Sequence, residues 1–284
     1  MGALLAVGVP GLLIAASAAS AASFTVNDAN DAALANPAGT ACVSTDGGGC
    51  TLRAAVQAAD NAGGASTITV PSGDFKLTIA ATAGGGADDP STGDLDVKAG
   101  VALTVAGSGA SGTVIDATHT DRAFAVHATA SLAISGVTVQ NGSQPATAPS
   151  NNSVGPGYGG AFYNDGSLSI TASVLSNNSA ANGGGVVFSD TAASATSITN
   201  STVTGNTSYD PGGVVYAESG AVAFANDTVT HNSADSYGGA IYADDAGHTL
   251  GAVTVTGSTL SSDLADSDGG AIYLDDAGAL TVSG

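Results

Sequence analysis

Tryptophan is absent, methionine occurs once, Glu218 is the only glutamate, and only four residues are lysine or arginine. Long helices draw on Ala, Leu, Glu, Lys and Arg together, so abundant Ala without its charged companions argues against a helical bundle. What is plentiful is Val, Ile, Thr, Asn and 41 Gly, a balance that predicts short strands and frequent tight turns. The scarcity of positive charge also excludes partners. With a net charge of −20 the chain cannot offer the basic patch that nucleic acid or an anionic membrane surface requires, and Arg53, Lys76, Lys98 and Arg122 do not make one. No basic residue other than histidine follows Arg122, whereas thirteen carboxylates do, so cations, calcium above all, are the natural counter-charge.

Cysteine is nearly missing as well. Cys42 and Cys50 alone cannot build a four-ligand zinc site, and a local disulfide in an oxidising compartment is the simpler account. Export fits the apolar run "LLAVGVPGLLIAASAASAA" at 4–22, which reads as a signal peptide over 1–22 with cleavage near Ala21 or Ala22, although the basic residues that usually precede such a run are missing. Pro10 and the small-residue end argue against a membrane anchor, so the mature chain is expected outside the cell or on its surface, not inserted in lipid.

The chain writes "GGAIYADDAG" at 238–247 and "GGAIYLDDAG" at 269–278, and related phrases begin at 159, 184 and 212. A second column repeats with them: "LSITASVLSNNSA" from 168, "TSITNSTVTGNTS" from 196, "VAFANDTVTHNSA" from 222 and "VTVTGSTLSSDLA" from 253. Apolar residues recur within it at matching offsets, and Asn178, Asn206, Asn232 and Asp263 share one place. The template also fits at Leu132, in part at Leu103, and begins again at Leu280. Apolar alternation of period two, broken by Gly, Asn and Asp every few residues, means strands and corners. Coils of about 25–30 residues that each carry two or three short strands stack as a solenoid. An all-β parallel β-helix of about seven coils is the best fit, in which counterparts in successive coils lie about 4.8 Å apart. The Asn column is then expected to bond amide to amide while tolerating left-handed dihedrals, and the Gly pair to turn a corner where Cβ would clash. Residues 143–158 break the period and read as a loop leaving the solenoid. The last coil stops at "LTVSG" without a cap, which predicts that the natural product continues beyond Gly284.

The segment "CTLRAAVQAADNAGGASTITVPSGDFKLTI" at 50–79 resembles the CSLREA domain: Cys50, Leu52, Arg53 and Ala55 match its motif, Thr51 is a mild change, and Ala54 replaces its Glu. The repeats are similar to those of polymorphic outer-membrane proteins, with "GGAIY" and "VTHN" standing for the two phrases of that unit. Together the resemblances imply a right-handed, pectin-lyase-like β-helix over 67–284 preceded by an N-terminal cap at 23–66, in which "AAVQAAD" forms a short helix over the first coil.

Three sets of residues are candidates for chemistry. Asp244, Asp245, Asp275 and Asp276 fall at equivalent places in successive coils and are either a calcium site or a solvated, solubilising corner. Asp244 and Asp245 with His248 have the acids of a glycosidase, but no basic residue lies nearby to hold a sugar carboxylate. Tyr163, Phe188, Tyr216, Tyr242 and Tyr273 follow inward-facing neighbours and are expected to point outward as a stripe, serving as a stacked structural ladder or as a platform for sugar rings. His119, His127 and His231 are scattered, and sequons such as those at Asn200 and Asn206 are expected by chance. These readings predict a secreted or cell-surface adhesive or scaffold element that binds an extracellular glycan or protein, requires no cofactor and has calcium as its candidate ion. The alternative is a polysaccharide lyase or glycoside hydrolase of the same fold.

Overall fold

The computed structural model describes residues 21–82, 90–147, 156–244, 250–275 and 278–284. Among these described residues one helix and 28 strands form a parallel β-helix. The expected signal peptide therefore lies almost wholly outside the described residues. Four sheets run along the solenoid, with nine, seven, five and seven strands.

One coil shows the pattern. Ser167–Thr171 lies in the nine-stranded sheet, Val174–Ser176 in the second sheet, Ser179–Ala180 in the five-stranded sheet, and Val187–Ser189 in the last, which we call the GG sheet. Every strand pair in the four sheets is parallel and joins one coil to the next, so Ile170 meets Ile134 on one side and Ile198 on the other. Register is fixed because a one-residue slip would turn the core column outward. Leu168, Ile170, Leu175 and Val187 all point into one buried core.

Seven coils result, beginning at Ala65–Val70. The strand Ala22–Thr25 extends the nine-stranded sheet by one rung ahead of them. A boundary between cap and solenoid at 66/67 thus falls inside a strand. The first two coils reach the GG sheet at Leu95–Val97 and Phe124–Val126 with no strand in the five-stranded sheet. That sheet starts at Ser143–Gln144, where Gln144 is buried, so the excursion expected over 143–158 begins later than its sequence suggests.

The cap is built on the helix Leu52–Ala62. Thr51 is its N-cap: Oγ1 accepts from the Ala54 N–H at 3.1 Å and donates to the Ala32 carbonyl at 2.6 Å. Small residues allow the helix to lie close against Ala65–Val70 and Leu95–Val97, and every residue from Leu52 to Asp60 is buried. Cys42 and Cys50 form a disulfide that closes the loop before it. Arg53 is buried and forks onto Asp31 at 2.6 and 3.2 Å while donating to the carbonyls of Pro90 and Gly93. An acid from outside the helix therefore partners this arginine.

The repeated GG phrase is explained by the corner it turns. Gly212 adopts φ +73°, a left-handed conformation, and a Cβ on Gly213 would fall against the carbonyl oxygen of Gly239 in the next coil. The two glycines are needed for different reasons, and the same pair of reasons recurs at 184–185 and 238–239. The asparagine column behaves as a ladder. Asn178 Nδ2 donates to Asn206 Oδ1 at 3.0 Å, Asn206 to Asn232 at 2.9 Å and Asn232 to Asp263 at 2.8 Å. Each Oδ1 also accepts the backbone N–H one coil earlier, from Gly142 to Asn232. The left-handed residue is the one before the ladder, as at Asn177 and His231, so geometry and hydrogen bonding are divided between neighbours.

Candidate functional face

The outer side of the GG sheet carries the largest set of chemically distinctive side chains. Alternation sends Phe162, Val187, Val215 and Ile241 into the main core, while Tyr163, Phe188, Tyr216 and Tyr242 gather in a separate cluster on the other side. Adjacent rings in this column are 5.1–5.9 Å apart. The expectation of a solvent-facing stripe needs correction: Tyr163 and Phe188 are 0 % exposed, Tyr216 9 % and Tyr242 7 %. Tyr158 lies over Phe188 at 4.5 Å, and Tyr237 over Tyr273 at 4.8 Å. These two lids precede the GG phrase in separate coils and cover most of the ladder.

A second column accompanies the rings. Asp165, Asp190, Glu218, Asp244 and Asp275 each stand two residues after an aromatic, and the strand register places them in successive coils. The Tyr163 hydroxyl donates to Asp165 at 3.0 Å and Asp190 at 3.1 Å, Tyr216 to Glu218 at 2.8 Å, and Tyr242 to Asp244 at 3.5 Å. Burial, together with these acids, raises the Tyr216 and Tyr242 hydroxyl pKa values, so both remain donors. The signal was present in the sequence as aromatic-x-acid: YND, FSD, YAE, YAD and YLD. Reading the acids as Asp-Asp pairs hid it.

Of the four proposed calcium ligands, Asp244 and Asp275 are paired in register, while Asp245 and Asp276 lie outside the described residues, as does His248. Among the described residues no group of three or more His, Cys, Asp or Glu is arranged to hold a metal ion.

The column begins, two coils earlier, with a buried carboxyl group. Asp96 occupies the ring position in the first coil, pairing with Ala125 in the second. Around it lie Asp94, which faces Arg122 at 3.3 Å, His127, bonded to Asp96 at 2.8 Å, and Asp121, bonded to Gln144. Arg122 in turn stacks over the Tyr163 ring at 5.4 Å. Burial first and the charge of Asp94 second push the Asp96 carboxyl up to about 8 and that of Asp121 up to about 7. No sequence pattern announced this network, because its members come from three different turns.

Residues 228–244 match the Chlamydia polymorphic membrane protein repeat. The match takes in the whole of "VTHN" at 229–232 and of "GGAIY" at 238–242, the two units whose backbone reasons are described above. It points to a cell-surface or outer-membrane β-repeat protein. Comparison with curated proteins and with solved structures returns no match. No helix among the described residues is long and apolar enough to cross a membrane.

Proposed function

We propose that the chain is an exported scaffold element whose GG face holds an extracellular glycan without turning it over. The observation that supports this reading is the double column of rings and carboxylates rising through five coils. Aromatic faces stack on the apolar C–H faces of sugar rings, and carboxylates accept bonds from sugar hydroxyls. Because the ladder itself is covered, contact falls to Tyr237 at its rim, 36 % exposed, and to Tyr209, 64 % exposed, which stands ahead of the neighbouring GG phrase. Calcium enters the proposal as an ion bridging Asp244 and Asp275 between coils, which offsets their repulsion.

Retention of the protein on a panel of immobilised polysaccharides tests the proposal. Tyr209→Ala with Tyr237→Ala is expected to abolish retention while leaving the fold intact, since neither ring is in the main core. Unchanged retention would remove the rim from the site. Release of reducing ends from the same panel would favour the polysaccharide-degrading alternative, and a melting temperature unmoved by millimolar calcium would remove the ion.

A further inference from the structure

We propose that the cavity between the cap and the first coil binds a small organic carboxylate. The cavity measures about 390 Å³ and is walled by Leu34, Pro37 and Pro90, with Gln57, Asn61, Ser91 and Lys98 as its polar lining. This volume lies in the range of small-molecule sites, about 300–1,000 Å³.

Charge singles the cavity out. The chain has 24 acidic residues against 4 basic ones. Three of those four are spoken for: Arg53 with Asp31, Arg122 with Asp94, and Lys76 with Asp74. Lys98 has no carboxylate partner among the described residues, and it is the one that faces a cavity. Its backbone is fixed by an N–H bond to Asp60 at 3.1 Å. Gln57 adds a neutral donor. Its Oε1 accepts the Leu34 N–H at 2.6 Å, which orients the amide and leaves Nε2 without a partner among the described residues. Asn61 is oriented in the same way by two bonds, from Nδ2 to the carbonyls of Pro37 and Gly39 at 2.8 Å each, leaving Oδ1 as an acceptor.

One ammonium and one amide N–H₂ suit the two oxygens of a singly charged carboxylate, and the Asn61 oxygen suits a hydroxyl or amide N–H carried beside it. A metal ion is disfavoured by the ammonium. A phosphate dianion calls for more positive charge or an arginine fork. The carboxylate can come from a sugar acid or from a peptide C-terminus, so both are tested.

The experiment is a calorimetric titration of the folded chain with glucuronate, glucose and N-acetyl-dialanine in turn, repeated with Lys98→Gln and Lys76→Gln. Saturable binding of glucuronate or the peptide acid is expected, with glucose silent. Loss of one charged hydrogen bond should weaken it about tenfold in Lys98→Gln. Lys76→Gln should bind as the parent does. The tighter of the two acids identifies the source. Three results would each overturn the site: glucose binding as well as glucuronate, equal affinities for the parent and Lys98→Gln, or no saturable binding of either acid up to about 10 mM.

Discussion

The first three coils and the last four solve one problem in two ways. Each must satisfy polar groups where a coil bends inside a tightly stacked solenoid. The later coils do so with ladders built mainly of neutral side chains, in which each rung is supplied by the rung next to it. Besides the asparagines, a second ladder runs along the bend after the nine-stranded sheet: Ser173 N–H donates to Ser201 Oγ at 3.1 Å, Ser201 N–H to Asp227 at 2.8 Å, and Asp227 N–H to Ser258 at 3.0 Å. The early coils have irregular neighbours on one side, the cap and its loops, and use buried ions instead. Arg53 with Asp31 and Arg122 with Asp94 are found there, beside the hydrogen bond between His127 and Asp96. Repetition makes a neutral partner available at each step, whereas an end without repetition needs groups that reach further and fork.

The comparison is broken most severely at the ionic end. Arg53→Met removes the one cationic partner that Asp31 has among the described residues, and the Asp31 side chain is 1 % exposed. Asp31 keeps the Thr78 and Ile79 N–H bonds at 2.6 and 2.9 Å, yet it becomes a buried charge without a counter-ion. A loss of about 3–5 kcal/mol is expected in denaturant melts, with the cap detaching first. A change under about 1 kcal/mol would mean that the backbone bonds alone hold Asp31.

The corresponding test on the neutral ladder is Asn206→Leu. It strips the acceptor from the Asn178 N–H and Nδ2 and the donor from Asn232 Oδ1, at a cost of about 2–4 kcal/mol. In a stack coupled mainly to nearest neighbours the damage should be local. Hydrogen exchange is expected to quicken at 174–180 and 228–234 while the helix Leu52–Ala62 stays protected. Uniform loss of protection would instead show that the solenoid opens as one unit.

How much of this was legible in the sequence follows the same division. The coil number, the GG corner and the asparagine ladder could be read because identical backbone demands recur at a fixed period. The Ser-Asp ladder and the aromatic-x-acid column were equally periodic, at Ser173, Ser201, Asp227 and Ser258 and at the five acids, but small polar residues are so common here that neither stood out. The lids Tyr158 and Tyr237 were hidden because the equivalent places elsewhere hold Gly183, Pro211 and Asp268, so no column announced them. The ionic network was invisible for a stronger reason. Arg53 finds its partners 22 and 37–41 residues away, at distances set by the fold and not by any local pattern.

A smaller effect, with an unusual sign, is read by pH and is largest at the ionic end, since burial raises Asp165 and Asp227, further along the solenoid, less far, to about 6. Burial holds the Asp96 and Asp121 carboxyls up at about 8 and about 7, against 3.8 for a free side chain, so the folded state keeps protons that the unfolded chain has lost. Stability from these groups is fully present below the unfolded value of about 4 and is lost as pH rises through about 7 to 8. Asp46 and Asp116, whose pKa values are lowered, act oppositely but only in stronger acid. The melting temperature is therefore expected to rise by a few degrees, for roughly 1–2 kcal/mol, on going from pH 9 to pH 5. Asp96→Asn, which imitates the protonated acid, should remove the upper part of the profile, near pH 8, and leave the part due to Asp121. A melting temperature that falls on mild acidification would assign these carboxylates to the ordinary, charge-stabilised class.

The smallest effect lies on the aromatic face and sharpens what its hydroxyls are for. Phe188 already occupies one rung without a hydroxyl, and Asp190 there takes its bond from Tyr163 in the preceding coil. Tyr216→Phe should accordingly keep the 5.1 Å ring contacts on both sides and lose only the 2.8 Å bond to Glu218, which is half-exposed and can turn to water. A cost of about 0.5–1 kcal/mol is expected, against about 3–5 kcal/mol for Tyr216→Ala, which removes the ring. If the two variants cost the same, the ring adds nothing beyond its hydroxyl and the column is a hydrogen-bonded ladder like the asparagines. If Tyr216→Phe is nearly silent in stability but weakens glycan retention, the hydroxyl serves instead to hold Glu218 in position for a ligand, and the later coils carry function on the same rungs that carry the fold.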